Sequence, residues 1–321
     1  MDMSTVSFPG LGFAINLKEI AFHVFGWPIH WYGIIIAAGF LLAVLYCSHK
    51  ARSYGITQDN LIDMLIFAVP IAIICARIYY VIFYLDLYRR ADGSYDILEM
   101  FRIWDGGLAI YGGIIGAVLT VFIFSRIKKI SFLAFADLGC FGLLIGQCVG
   151  RWGNFVNVEA YGAATTLPWR MGIYDTVNGV FQYMEVHPTF LYESLWNLAG
   201  FLLLAFVIAR HRKFDGQIFL SYIGWYGLGR AWIEGLRTDS LYFFSTGLRV
   251  SQVLAIASFA AAAILLVICF ARHPDPKDLW VNRLAARQAP AAEEKQAAPE
   301  AERPEAPQEE KKEETDSHDP T

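Results

Sequence analysis

The sequence is poor in charged side chains. Asp, Glu, Lys and Arg make up only 17% of its 321 residues, whereas 56% are hydrophobic and the mean hydropathy is +0.40. Such a composition excludes an ordinary soluble domain of this size. The sequence also has no P-loop and no GxGxxG turn in a βαβ setting, so no nucleotide cofactor is predicted. A membrane protein with several spans is the first prediction.

Cysteine is scarce and has no ligand spacing. The five cysteines form no CxxC pair and all lie inside apolar segments, at positions 47, 75, 140, 148 and 269. We interpret them as packed thiols. No metal, no cofactor and no nucleic-acid partner is predicted.

Long apolar stretches indicate the fold class. Runs such as GFLLLAFVIA, residues 200–209, do not alternate between apolar and polar residues, which excludes a membrane β-barrel. The sequence therefore predicts an all-α, polytopic membrane protein. Its seven transmembrane helices are expected at about 29–47, 60–84, 106–125, 132–150, 188–209, 216–235 and 250–271.

Lysines in the short connections predict the orientation. Lys18 falls on one side of the seven spans, and the other lysines before the tail fall on the opposite side, at positions 50, 128, 129, 213 and 277. Because positive loops stay in the cytoplasm, the N-terminus is predicted outside and the C-terminus in the cytoplasm. Several arginines lie on the outer side and suggest anions there.

The chain is predicted to divide into a membrane domain, residues 1–280, and a tail, residues 281–321. The tail is rich in Ala, Glu, Pro and Gln, and it carries 11 acidic and 6 basic side chains. With almost no large apolar residue it cannot bury a core. We predict a disordered, acidic cytoplasmic extension.

Polar side chains gather at one end of the predicted bundle. They occur in HWYG (30–33), WDGGLAIYGG (104–113), GRWGNFVNVE (150–159), HPTFLYE (187–193) and YGLGRAWIEGLR (226–237), all toward the outer leaflet. Polar residues with purely structural roles would be expected on both sides of the membrane. The asymmetry predicts a single outward-facing site.

The sixth span carries charged residues at helical spacing. Tyr226, Arg230 and Glu234 are four residues apart and share one face, and Arg237 follows. Arg230 and Glu234 can form an ion pair that only fixes helix packing, or they can belong to the site. In the second span, Arg77 is a further buried candidate.

The segment GRWGNFVNVEAYG ends the fourth span with costly polar groups. Arg151 and Asn154 face the same way, and Asn157 and Glu159 follow as the chain leaves the helix. By itself the segment fits a glycine-rich turn with a snorkelling arginine. Together with Arg230, however, Arg151 supplies a second guanidinium, and guanidinium groups suit phosphate oxygens. A membrane-soluble ligand with a phosphate is a phospholipid.

The fifth span begins with two further candidates. His187 precedes a proline at the helix start and fits either a cap or a site residue. Glu193, further into the span, is a buried carboxylate that needs a partner.

These motifs, in this order across seven spans, closely resemble the bacterial prolipoprotein diacylglyceryl transferase family, from about Phe8 to about Ala271. The resemblance implies transfer of the diacylglyceryl group from phosphatidylglycerol to the lipobox cysteine of a preprolipoprotein, with release of glycerol phosphate. It implies a location in the bacterial cytoplasmic membrane. The nucleophile belongs to the substrate, which agrees with the absence of a plausible catalytic thiol.

The resemblance also implies roles for individual residues. Arg151 and Arg230 match the arginines essential in the family and would bind the phosphate and stabilise the leaving group. Other matched positions would bind phosphatidylglycerol or orient the arginines: Tyr32, Asn154, Glu159, Gly162, Tyr226 and Glu234.

One departure from the family concerns the base. This chain has Tyr111 where known members carry a histidine proposed to accept the thiol proton, and tyrosine is the weaker base at neutral pH. Tyr111, Glu159 or the field of the arginines alone could favour the thiolate.

Two other functions compete with the enzyme. A transporter or channel for an anionic metabolite would use the same arginines, but it would need polar groups through both leaflets or an inverted repeat. A membrane scaffold would act through its tail. The apolar inner halves of the spans favour the transferase.

Overall fold

The computed structural model describes residues 3–90, 92–177, 180–237 and 249–297. The chain divides into two compact units, Met1–Arg283 and Leu284–Thr321. The first unit carries the helices and strands that position the polar clusters. The catalytic role of this unit and the disorder of the tail stay predictions.

Each of the seven predicted spans corresponds to a helix. With the short helix Ile97–Met100 numbered α3, they are α1 (Trp31–Lys50), α2 (Gln58–Phe83), α4 (Ile110–Ile127), α5 (Phe132–Val156), α6 (Thr189–Leu202), α7 (Gln217–Ile233) and α8 (Val250–Ala271). The helix of α6 continues through the π-helical turn Leu203–Ile208 and the 3-10 turn Ala209–His211. Six of the seven are long and apolar enough to cross a membrane. The seventh, α7, has 17 residues.

The structure is mostly helical, as predicted, but the fold is not all-α, because the described residues also include six strands. β1 (Met3–Phe8), β2 (Phe13–Lys18), β5 (Met171–Val177) and β6 (Val180–Val186) form an antiparallel sheet in the order β2-β1-β5-β6. β3 (Ile20–Val24) and β4 (Trp27–His30) form a separate hairpin directly before α1. Strands this short leave no trace in a search for long apolar runs.

The four-stranded sheet packs on the ends of two helices. Val6 of β1 and Ile173 of β5 are completely buried in a small apolar core. The same core contains Phe155, near the end of α5, and Phe190, near the start of α6, whose rings stack with centroids 4.5 Å apart. The sheet therefore joins the ends of α5 and α6 at which the polar segments lie.

The larger core lies between the helices and is centred on α5. Leu138, Phe141 and Leu144 are buried there, and α5 packs against α1, α6 and α7. α2 and α4 pack closely through glycines of α4. A Cβ added at Gly116 would lie 2.7 Å from the Cβ of Cys75, so this approach requires a small residue.

The end of α5 remote from the sheet carries a buried carboxylate that the sequence analysis did not single out. Asp137 is completely buried and accepts hydrogen bonds from the backbone N–H groups of Gly216 and Phe219, at 2.8 Å each. The first N–H groups of a helix have no partner within it, so Asp137 caps α7 from a neighbouring helix. Arg212 lies 4.0 Å from Asp137. This contact fixes α7 to α5 at the remote end.

The last described helix is α9 (Trp280–Ala297), in a region for which disorder was predicted. Its first residue is held by Asp215, which accepts a hydrogen bond of 2.8 Å from the N–H of Trp280. The indole of Trp280 donates to the carbonyl of Gly55. The remainder of the predicted tail, residues 298–321, lies outside the described residues.

The packing of α2 against α4 leads to a prediction about stability. A Cβ added at Gly112 would clash with the carbonyl of Cys75 and lie 2.9 Å from the Cα of Ala76. We expect Gly112→Ala to lower the free energy of unfolding by about 1–3 kcal/mol, because the two helices must move apart. Thermal unfolding in detergent, followed by the reactivity of the buried thiols Cys47 and Cys140, measures the effect.

Gly139→Ala is the matched control. Gly139 lies within α5, and among the described residues no neighbouring atom outside the local helix backbone lies within 4 Å of a Cβ added there. Alanine favours a helix over glycine, so this variant should unfold at the wild-type temperature or slightly above it. Equal stability of the two variants would contradict the close packing of α2 and α4.

Candidate functional site

A buried carboxylate with three arginines forms the centre of the polar region. Glu193 is 6% exposed and contacts Arg151 through its Oε2 atom. Its Oε1 atom lies 3.5 Å from Nη1 of Arg230 and 3.4 Å from Nη1 of Arg237. The expectation that Glu193 needs a partner is confirmed. We call Glu193 and these three arginines the arginine cluster.

Three helices bring the cluster together. Arg151 lies in the last two turns of α5, Glu193 in the second turn of α6, and Arg230 in the last turn of α7. Arg237 follows the 3-10 turn Glu234–Leu236 that ends α7. Positions far apart in sequence thus meet because α5, α6 and α7 are neighbours.

Glu234 supports the cluster from the same helix end. It is 2% exposed, and its Oε2 atom lies 2.6 Å from Nη2 of Arg230. The carbonyl of Glu234 also accepts a hydrogen bond from Arg249. The predicted Arg230–Glu234 pair is therefore present.

The charges of the cluster favour an additional anion. The three arginines of the cluster carry one positive charge each. The carboxylates that they contact belong to Glu193 and to the neighbouring Glu234, which carry one negative charge each. The side chains of the three arginines are 10–24% exposed, so each remains partly accessible. Guanidinium groups held in place can bind phosphate oxygens, and the low dielectric of a buried site strengthens the attraction.

A polar chain leads from the cluster to the surface. Nη1 of Arg151 donates to Oδ1 of Asn154 at 3.2 Å, and Nδ2 of Asn154 donates to Oε1 of Glu159 at 2.7 Å. Glu159 itself is exposed. The backbone is unusual on both sides of it, since Val158 has φ +50° and Ala160 φ +57°. Non-glycine residues rarely adopt this conformation, and it holds Glu159 beside Asn154.

The other residues of this segment act through the backbone. The N–H of Asn157 bonds to the carbonyl of Gly153 and ends α5. The N–H of Gly162 donates to the carbonyl of His187 at 3.0 Å. A Cβ at Gly162 would lie 2.7 Å from the Cβ of His187 and 3.0 Å from the carbonyl oxygen of Leu236. Gly162 thus allows three segments to meet beside the cluster.

Tyr32 lies beside the same end of α5. A Cβ added at Gly153 would be 2.8 Å from the ring of Tyr32, so the glycine lets the ring approach the helix. The side chain remains 38% exposed. The structure thus places the ring of Tyr32 beside Gly153, two residues after Arg151 in α5, with the ring partly accessible.

His187 is joined to an aromatic network. Its Nδ1 atom lies 3.2 Å from the hydroxyl of Tyr192, which also accepts a hydrogen bond from the indole of Trp169. Burial lowers the pKa of His187 below its usual value, which favours the neutral imidazole. This geometry fits an anchor for the start of α6.

Arg77 is buried but belongs to a different region. Its guanidinium donates four hydrogen bonds of 2.7–3.0 Å to backbone carbonyls at positions 99, 100, 106 and 107. All four lie in the connection that precedes α4. Arg77 therefore organises this connection, and among the described contacts none joins it to the arginine cluster.

Tyr111 lies in the first turn of α4, directly after the connection held by Arg77. It is 49% exposed. Within the part of the chain that the structure describes, its hydroxyl forms no hydrogen bond with the arginine cluster or with Glu159.

A small pocket opens below the arginine cluster, on the side away from the sheet. Its walls are formed by residues of α6 and α7: Glu193, Trp196, Asn197, Tyr226, Gly229, Arg230 and Ile233. The indoles of Trp196 and Trp225 stack with centroids 4.3 Å apart, and each donates to the other's backbone carbonyl. The sequence analysis missed Asn197, although it lies one helical turn from Glu193.

Comparison with known proteins identifies the family. The sequence model of the family described as prolipoprotein diacylglyceryl transferase matches residues 19–268 of this chain. Similar curated proteins are named phosphatidylglycerol--prolipoprotein diacylglyceryl transferase. The protein of Listeria welshimeri is 45% identical over 255 residues, which cover 78% of this chain and 89% of the relative. The protein of Finegoldia magna is 45% identical over 251 residues, which cover 78% of this chain and 95% of the relative.

A third relative, from Bacillus velezensis, carries the same name and is 43% identical over 257 residues, 78% of this chain and 92% of its own length. The matched region contains the arginine cluster, the segment from Arg151 to Gly162 and the helices that position them. The chain therefore belongs to the prolipoprotein diacylglyceryl transferase family.

Proposed function

We propose that this chain transfers the diacylglyceryl group of phosphatidylglycerol to the thiol of the lipobox cysteine in a preprolipoprotein. The observation that carries the proposal is the arginine cluster, in which three guanidinium groups converge at the end of the helices. The relatives are named for the same lipid and the same acceptor. Their names do not support the alternative of an anion transporter.

We further propose seven spans, with α7 and the turn Glu234–Leu236 together crossing the membrane. The distribution of lysines then puts the N-terminus outside and the C-terminus in the cytoplasm. The arginine cluster would face the outer leaflet of the bacterial cytoplasmic membrane. Phosphatidylglycerol could reach it laterally, because a phospholipid phosphate lies at the same depth as the ends of the helices.

The reaction is an alkylation of sulfur. The cysteine sulfur bonds to the terminal carbon of the diacylglyceryl group while the bond from that carbon to the phosphate oxygen breaks. The oxygen keeps the electron pair and leaves as glycerol phosphate. Negative charge therefore grows on the phosphate as the bond breaks, and guanidinium groups already in place stabilise that charge more strongly in the transition state than in the bound lipid.

Glu193 would act on the reaction through the arginines. Its two carboxylate oxygens contact three guanidinium groups, which otherwise repel one another and have several rotamers available. The carboxylate holds them close together before the lipid binds, so less reorganisation is needed when the phosphate leaves. Glu193 is thus a positioning residue in this scheme.

Glu159 is our candidate for the base that accepts the thiol proton. It is exposed and is connected to Arg151 by hydrogen bonds through the amide of Asn154. Among the described hydrogen bonds, none joins Tyr111 to Arg151, Asn154 or Glu159. A carboxylate beside the arginines can accept a proton close to the leaving phosphate. Tyr111 would line the approach to the site.

Removal of one arginine tests the assignment. We expect Arg151→Ala and Arg230→Ala each to lower the transfer rate about 10²- to 10³-fold, because one donor to the leaving phosphate is lost. The assay uses purified protein in detergent with phosphatidylglycerol and a lipobox peptide, and it measures the mass of the lipidated peptide and the glycerol phosphate released.

Arg90→Ala is the matched control, since Arg90 pairs with Asp96 at 2.6 Å on the surface and lies outside the cluster. It should keep wild-type activity. Full activity of both cluster variants would refute the phosphate-binding role, and a folded wild-type protein that forms no lipidated peptide would refute the proposed reaction.

Two conservative substitutions separate the candidate bases. If Glu159 accepts the proton, Glu159→Gln should lower kcat about 10²-fold or more, because the amide keeps the shape but cannot take up a proton. Tyr111→Phe should stay within about tenfold of the wild type. The rates are measured as a function of pH with the same peptide assay. The reverse order of the two variants would assign the base to Tyr111.

A further inference from the structure

The three helices of the arginine cluster share a second polar layer. One turn further from the sheet than Arg151, Glu193 and Arg230, the same helices carry Gln147, Asn197 and Tyr226. The spacing is four residues in each helix, although α6 runs in the opposite direction to α5 and α7. At 1.5 Å per residue the second layer lies about 6 Å deeper than the first.

Asn197 is the most deeply buried of these three side chains. It is 5% exposed and lines the pocket together with Tyr226 and Arg230, yet its amide forms no hydrogen bond among the described residues. Gln147 donates through Nε2 to the hydroxyl of Tyr222 at 2.9 Å, while its Oε1 atom is buried without a hydrogen-bond partner among the described residues. The amide of Asn197 lines the pocket without a partner among the described residues, so a polar group that binds there would gain from pairing with it.

The depth of the pocket suggests which group binds there. If the arginines hold the phosphate, the next polar atoms of a phospholipid toward the hydrocarbon are the ester oxygens of its two acyl chains. Ester carbonyls only accept hydrogen bonds. The amide of Asn197 and the hydroxyl of Tyr226 can both donate.

We propose that Asn197, together with Tyr226, binds an ester carbonyl of the lipid donor. This inference rests on the proposed function and adds a second point of attachment to it. With the phosphate held by the arginines and the ester by Asn197, the carbon that sulfur attacks lies between two fixed groups. Such positioning lowers the entropic part of the barrier and excludes lipids that carry no ester at this depth.

The test compares diester phosphatidylglycerol with its diether analogue, which has the same headgroup and chains but no ester carbonyl. For the wild type we expect kcat/KM with the diether lipid to be about 5- to 50-fold lower, the loss of one buried hydrogen bond. Asn197→Leu should lower kcat/KM for the diester lipid by the same factor and leave the value for the diether lipid unchanged.

Gln147→Leu is the matched control, because it removes a buried amide at the same depth outside the pocket. Gln147→Leu should change kcat/KM for the diester lipid and for the diether lipid by the same factor. Asn197→Ala, which removes the amide without adding a charge beside Arg230, should behave as Asn197→Leu does and provides a second variant if the first does not fold. Native mass spectrometry of the same proteins measures binding of each lipid separately from transfer.

The outcomes separate the two proposals. The ester contact would be overturned if the wild type had the same kcat/KM for the diester and the diether lipid. It would also be overturned if the Asn197 variants lowered kcat/KM for both lipids equally. If the wild type binds the diester lipid preferentially and loses this preference in Asn197→Leu, but transfers nothing to the peptide, the ester contact stands and the proposed reaction fails.

Discussion

The structure depends on the contact of one buried carboxylate with three guanidinium groups. Glu193 contacts Arg151 of α5, Arg230 of α7 and Arg237 beyond the end of α7. A buried charge without a partner is strongly unfavourable, and three arginines close together repel one another, so the four groups are stable only together. The same contact joins three helices and holds guanidinium groups where an anion can reach them.

The parts around this contact keep it in place. The four-stranded sheet packs on Phe155 and Phe190, close in sequence to Arg151 and Glu193, and thereby fixes the ends of α5 and α6. At the remote end, Asp137 of α5 caps α7. α5 is thus joined to α6 at the sheet end and to α7 at the remote end, which suits a site that must hold charged groups in a fixed arrangement.

Much of the helical architecture was predictable because a membrane requires long apolar segments. All seven predicted segments are helices, and the spacing of Arg230 and Glu234 correctly indicated an ion pair. The four-stranded sheet was missed, because its strands are short and its hydrogen bonds join residues as distant as Ser7 and Gly172. The cap that Asp137 forms on α7 was missed for the same reason.

By itself, the sequence determined that the chain has long apolar helices, that its polar groups gather at one end of them, and which family motifs they form. These properties follow from composition and from spacing within single helices. Only the tertiary structure decided that Arg77 organises a loop, that Glu159 is joined to Arg151 through Asn154, and that Asn197 faces a pocket beside Arg230. Such contacts depend on which helices are neighbours and how they are rotated, and spacing along one helix carries no information about either.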